Sequence, residues 1–345
     1  MPSTDKKEDL LPQESPPDSY DPTENEIGVE VKATRRVSGL SVLTWNVWFG
    51  DSYETEESFS KRCQEIVVSL GQTQPDIICL QEVTQDLLDL LLGAGWVKAG
   101  YDLSCVKIEG YGVLIMSRGE LNGKFEETRL PTHMGRSLHT VHVELSSGRR
   151  RTTTITSSSS SSSSCWQCKN ELDKLGGKDG DAMLVGDFNF CSYRNYNPEI
   201  IPLENKVLSE VMPYFVDLWP RLHPGNKGYT FDSENNTLIS RYERMRYDRI
   251  MVRSKSMKAR SMIRYATYEV DLKLKPEPDR GVVKINGGRV IVRKLSILRG
   301  SIIHLSDHFG LMAFLTPLRE GDEPMISNNE RTQMCDTCNF SCSLM

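Results

Sequence analysis

Short apolar runs, each stopping on a polar residue, recur along this chain and constrain its fold more tightly than any bulk property. Leu40–Asn46 (LSVLTWN) stops on Asn46, and Asp76–Val83 (DIICLQEV) carries Glu82 near its end. AMLVGDFNF places Asp187 and Asn189 at a strand end, RYDRIMVRS carries Asp248, and HLSDHFGLMAFL carries Asp307 and His308. Runs this short and rich in Val, Ile and Leu read as strands. Between the first two, Phe59, Cys63, Ile66, Val67 and Leu70 recur at helical spacing, and a Leu-rich helix starts at Gln85. GYGVLIMSR and RSLHTVHVEL are further strands, the second pairing with GRRRTTTIT as a hairpin, and CWQCKNELDKL predicts a short helix. Strands alternate with helices early and adjoin one another later. The pattern is mixed α/β, with two packed sheets and helices outside.

Charge is uneven along the 345 residues. Residues 1–30 hold nine Asp/Glu against two Lys, with several prolines and no apolar period, and read as an acidic, disordered tail. Residues 241–300 hold 17 Lys/Arg against six Asp/Glu, a basic region suited to a polyanion or simply to solvent. MPSTDKKEDL lacks the apolar stretch of a secretory signal, and no run is long and apolar enough for a membrane helix. The nine cysteines are scattered, as in a reducing compartment, so nucleus and cytoplasm are the expected location.

Strand ends are where α/β folds collect chemistry, because a rigid sheet aims its loop-borne side chains at one place. GDFN alone could be a turn, and a single Asp-His pair a surface feature. Together, the carboxylates and carboxamides of Asn46, Glu82, Asp187, Asn189, Asp248 and Asp307 suit a hard, oxygen-liking cation, and His308 adds a group for charge or proton work.

TWN, LQEV, GDFN and SDH, in this order, resemble the endonuclease/exonuclease/phosphatase superfamily. NVWFGD, EGYGVLIMS, HMGRSL, GYTFDSENNTL and RYDRIMV are similar to its 5′-tyrosyl-DNA phosphodiesterases. The resemblance covers Ser38 to Pro317. It implies a four-layer α/β sandwich of two mixed sheets flanked by helices, over a catalytic domain at 38–317 that polyserine 157–164 interrupts. Residues 1–37 and 318–345 would be tails. It further implies Mg²⁺-dependent hydrolysis, with Mn²⁺ as a substitute, by a monomer. The substrate would be a DNA 5′ end still joined to a tyrosine, as left by trapped topoisomerase II, or RNA joined to a protein tyrosine.

The resemblance also assigns roles. Glu82, Asn46 and Asp307 would hold the metal, Asp187 would activate water oriented by Asn189, and His308, held by Asp248, would donate to the phosphate. Tyr111, Arg136, Phe231, Tyr247 and Arg194 would contact substrate.

Eight serines, Ser157–Ser164, stand where the family has a strand ending in roughly TSHLES, so its second catalytic histidine falls on Ser158. A serine hydroxyl donates a hydrogen bond without a positive charge, and losing a donor aimed at the transition state costs about 10²–10³ in rate. A slow enzyme, a degenerate binder of DNA ends and a normal enzyme misread at this tract are the three readings. Another superfamily activity, such as inositol-phosphate hydrolysis, is the enzymatic rival. Its cysteine-containing signature is absent before Asp248-Arg249, where the chain reads MRYDRI.

Cys165-x-x-Cys168 and Cys335-x-x-Cys338 lie too far apart in sequence to argue for zinc. The ending CSLM has the form of a prenylation box at Cys342, which gives membrane attachment as a minority expectation.

Overall fold

The computed structural model describes residues 39–51, 54–129, 137–146, 150–157, 181–193, 204–274 and 302–326. The acidic N-terminal segment, Arg136, Arg194, the serines from Ser158 onward, the CWQCKNELDKL segment, both cysteine pairs and Cys342 lie outside the described residues.

Along the chain, β1 (Leu40–Asn46) leads to α1 (Glu56–Thr73), β2 (Ile77–Thr84), α2 (Gln85–Gly93) and α3 (Gly95–Gly100). The α1 start is written locally. Thr55 accepts the Ser58 N–H at 3.1 Å, and Glu56 and Glu57 occupy the first turn, where the helix dipole favours negative charge. Next come β3 (Tyr101–Leu103), β4 (Tyr111–Arg118), β5 (Lys124–Arg129), β6 (Ser137–Ser146), β7 (Arg150–Ser157) and β8 (Asp181–Asp187). The last part holds α4 (Glu204–Val211), β9 (Val216–Asp217), α5 (Leu218–Leu222), β10 (Phe231–Asp232) and β11 (Arg244–Met245). It closes with β12 (Asp248–Arg253), β13 (Met257–Tyr265), β14 (Glu269–Asp271), β15 (Ile302–His304) and β16 (Gly310–Pro317).

Two six-stranded sheets form, in the orders β13-β16-β1-β2-β4-β3 and β5-β6-β7-β8-β12-β9. Each is antiparallel except for one central parallel pair, β1 with β2 and β7 with β8. The sheets share one core: Val42, Ile77 and Leu311 of the first pack with Val141, Val185 and Ile250 of the second. Leu43, Ile78 and Leu80 point the other way, onto Ile66, Leu70 and Leu88 of α1 and α2. Beyond the second sheet, Leu184 and Met251 meet Leu208 and Val211 of α4. The mixed α/β architecture expected from the strand–helix pattern is what the chain adopts.

HLSDHFGLMAFL, taken above as one of the apolar runs, divides here. His304 ends β15, Ser306–His308 form a turn, and β16 runs in the middle of the first sheet between β1 and β13. Packing also continues past Pro317. Ser254 and Met325 exchange backbone hydrogen bonds of 2.8 and 2.9 Å, and Met325 is buried in the core between the sheets.

Trp45 ties this core to the SDH turn. It is fully buried, meets Tyr265 edge-on at 5.4 Å, and donates its indole N–H to the His308 carbonyl at 2.9 Å. A Cβ at Gly310 would lie 3.0 Å from the Trp45 side chain and 3.1 Å from the Thr44 carbonyl, a tight fit that would make its neighbours shift. Trp45→Ala is expected to lower stability by about 3–5 kcal/mol, read by urea denaturation.

Candidate functional site

Parallel strands end at the same edge of a sheet, and this places the polar residues. Asn46 closes β1, Glu82 lies near the end of β2, and Asp187 closes β8. The antiparallel β12 begins at that edge, with Asp248 directly opposite Asp187. Asn46, at the end of the first sheet, donates from Nδ2 to Glu82 Oε1 at 3.0 Å and to Asp187 Oδ2 at 3.1 Å, and so joins the two sheets.

Glu82 reaches this position through a defect. The register of β2 against β4 shifts between Leu80 and Val83, and Glu82 takes φ +60°. Strict alternation would direct residue 82 toward the helices, alongside Ile78 and Leu80. The bulge turns its carboxylate to Asn46 instead, with Oε2 accepting the Phe49 N–H at 3.4 Å. Asn189 also has positive φ, +55°, and its backbone N–H caps Asp187 Oδ1 at 2.8 Å. With Trp48 (φ +57°), whose N–H donates to Asn46 Oδ1, three non-glycine residues in the left-handed region flank one cluster and mark stored backbone strain.

His308 Nδ1 lies 2.8 Å from Asp248 Oδ2, and both residues are buried. Burial opposes the imidazolium, but the carboxylates of Asp248, Asp187 and Asp307 outweigh it and raise the His308 pKa well above the ordinary histidine value. Asp187 is pushed up to about 6, chiefly by burial, while His308 pulls it down. Burial likewise raises Glu82 and Asp307, and each further carboxylate nearby adds to the effect.

Asp187, Asp248 and His308 each bring one potential ligand atom within 4.8 Å of the others, a cluster able to hold a metal. The His308–Asp248 hydrogen bond occupies one nitrogen and one oxygen of this cluster, Nδ1 and Oδ2. Glu82 Oε1 and Asp187 Oδ2 share the Asn46 amide, an oxygen-rich setting of the kind a hard divalent ion takes. Asp307 opposes the charge of Glu82 where burial already disfavours both carboxylates, a cost that a nearby cation would offset.

Of the substrate-contact residues expected from sequence, Phe231 meets the His308 ring at 5.2 Å and Tyr247 meets it at 6.0 Å. Tyr247 OH donates to Glu243 Oε1 at 2.6 Å. Tyr111 is half exposed at the rim and stacked on Phe49, with ring centroids 4.6 Å apart.

Three contributors were not singled out from sequence. Thr230 Oγ1 accepts from the Tyr247 and Asp248 N–H groups at 3.2 and 3.1 Å. Ser306 Oγ donates to the Asn46 carbonyl at 2.7 Å and accepts the His308 N–H at 3.0 Å. Phe49 forms the aromatic rim with Tyr111. All three sit inside stretches already notable for their neighbours (GYTFD, SDH and NVWFGD), which is the signal that could have found them.

Two sheets bring carboxylates, carboxamides and one histidine together at a shared edge, an arrangement found in phosphoester hydrolases. Residues 43–308 match the endonuclease/exonuclease/phosphatase family, and the chain belongs to it. No match is found among curated protein sequences. Among solved structures, zebrafish (D. rerio) TDP2 complexed with single-strand DNA product is 20% identical, with a TM-score of 0.58 over 81% of this chain and 100% of that one. Truncated Caenorhabditis elegans TDP2 is 16% identical, with a TM-score of 0.57 over 81% and 97%. The mannosyl-6-phosphatase Bt3783 of Bacteroides thetaiotaomicron is 16% identical, with a TM-score of 0.53 over 80% and 99%. These likenesses show a shared fold.

Proposed function

We propose that this protein is an Mg²⁺-dependent phosphodiesterase that releases tyrosine from the 5′ phosphate of a DNA end, the adduct a trapped topoisomerase II leaves. The observation that carries this reading is the joining of Glu82 and Asp187 through Asn46, beside the Asp248–His308 pair. The likeness to TDP2 structures, one of them holding a single-strand DNA product, supports a DNA end over a sugar phosphate.

Glu82, Asn46 and Asp307 would hold the ion, which would polarise a phosphate oxygen and offset charge developing in the transition state. Asp187 takes the proton of the attacking water, and Asn189 orients that water. His308 donates to a phosphate oxygen. Asp248 fixes its ring, and the Thr230 hydroxyl and Ser306 hold the backbone of the pair. The leaving phenol, with a pKa of about 10, departs with little general-acid help. Phe231 and Tyr247 offer ring faces to a nucleotide, worth about 1–3 kcal/mol per stacked base whatever the sequence.

The serine tract favours a second reading, a DNA-end binder with little turnover. The two separate in an assay of tyrosine release from a 5′-phosphotyrosyl oligonucleotide with Mg²⁺, with EDTA, and with Ser158→His. Wild-type release abolished by EDTA is expected, with Ser158→His faster by about 10²-fold, the size of one transition-state donor. DNA binding without release by either protein would favour the binder.

A further inference from the structure

Helix α1 carries a buried cation outside the cluster of Asn46, Glu82, Asp187, Asp248 and His308. Arg62 is fully buried, where an unpaired guanidinium would be costly, and four of its hydrogen bonds go to three separate segments. Nε and Nη2 donate to the two Glu54 carboxylate oxygens at 2.9 and 2.8 Å. Nη1 donates to the Val47 carbonyl at 3.0 Å and to the Leu305 carbonyl at 3.1 Å. The guanidinium also lies 4.7 Å from the Trp48 ring centre and 5.4 Å from that of Phe59.

These acceptors are placed unusually. Val47 directly follows Asn46, and Leu305 directly precedes Ser306, Asp307 and His308. Ser306 then bonds back to the Asn46 carbonyl, closing a ring of contacts through Arg62. We infer that Arg62 is a positioning residue that sets the spacing between Asn46 and Asp307, and through it the affinity for the divalent ion. The planar fork of arginine supplies this span of donors, and the single ammonium of lysine cannot reach all four acceptors. The inference rests on the proposed assignment of Asn46, Glu82 and Asp307 to the metal.

The test uses the full chain and Mn²⁺ alone, with binding followed by electron paramagnetic resonance without substrate. Arg62→Lys is expected to weaken Mn²⁺ binding by about 10–100-fold, as loss of a group that orients metal ligands does. It should lower kcat on the phosphotyrosyl oligonucleotide to a similar extent while leaving KM unchanged. Leu70→Ala, a cavity in the same helix away from the ring of contacts, is the control and should lower thermal stability while keeping wild-type Mn²⁺ affinity. Wild-type affinity in Arg62→Lys overturns the inference, as does an equal loss in both variants at matched stability. Should Arg62→Lys fail to fold, Glu54→Gln, which weakens the grip on the same fork, carries the same test. Wild type that binds Mn²⁺ yet leaves the oligonucleotide intact removes the substrate assignment, and the Mn²⁺ comparison still decides the role of Arg62. Wild type that binds no Mn²⁺ removes both.

Discussion

Asp187→Asn should reduce kcat for tyrosine release by about 10²–10⁴-fold, the usual contribution of a general base, with little change in KM. The amide keeps the shape of the carboxylate but cannot take a proton from water. It can keep only one of the two hydrogen bonds Asp187 now accepts, from Asn46 Nδ2 or from the Asn189 N–H. Stability should move the other way. Burial raises the Asp187 pKa from its ordinary 3.8 to about 6, so the folded state holds this proton more tightly than the unfolded state. Its contribution to stability is therefore greatest at low pH and is lost as pH rises through about 6. At neutral pH the ionised carboxylate is a burden on the fold, and the neutral amide should leave the melting temperature at or above that of wild type. The same pKa predicts an acid limb in kcat/KM: activity rises with pH through about 6 as Asp187 becomes a competent base. Turnover within tenfold of wild type in the Asn variant would remove Asp187 from the chemistry.

His308→Gln should lower kcat by about 10²–10³-fold, the cost of one donor aimed at the transition state. The carboxylates around His308 raise its pKa well above the ordinary value, so the imidazolium persists at neutral pH and is lost only as pH rises through that raised value. Wild type should therefore show an alkaline limb above neutrality that the Gln variant lacks, since an amide does not titrate. Removing the cation also leaves the buried Asp248 carboxylate without its charged partner. Its Oδ1 already has no hydrogen-bond partner among the described residues. Breaking a buried ion pair from one side costs about 3–5 kcal/mol, and a glutamine amide reaching Asp248 Oδ2 recovers part of that. An unchanged alkaline limb in His308→Gln would assign that limb to another group.

Much of this site could be read along the chain, because the short-range pattern and the chemistry coincide there. Apolar runs that end on Asn46 and Asp187 or begin at Asp248 are strands delivering polar groups to one edge, and TWN, LQEV, GDFN and SDH carry the family likeness. Glu82 was found as a residue type, but its direction was not readable. Period-two alternation sends position 82 toward α1 and α2, and only the bulge against β4 turns it to Asn46. Arg62 was missed because a charged helix residue ordinarily faces water. The available hint was its position within the stripe of Phe59, Cys63, Ile66 and Leu70.

Local pattern along the chain sets the alternation of strands and helices, the residue types of the site and the family likeness. Each of these is written in spacing within a few residues or in short motifs. The tertiary structure decided which residues meet: Asn46 with both Glu82 and Asp187, His308 with Asp248, and Arg62 with the carbonyls of Val47 and Leu305. Those contacts join residues as far as 243 positions apart in the chain, and they exist only once two sheets pack and bring their strand ends to one edge. Charge follows the same rule. An aspartate is acidic by its chemistry, but burial opposite a second aspartate is what carries Asp187 to about 6.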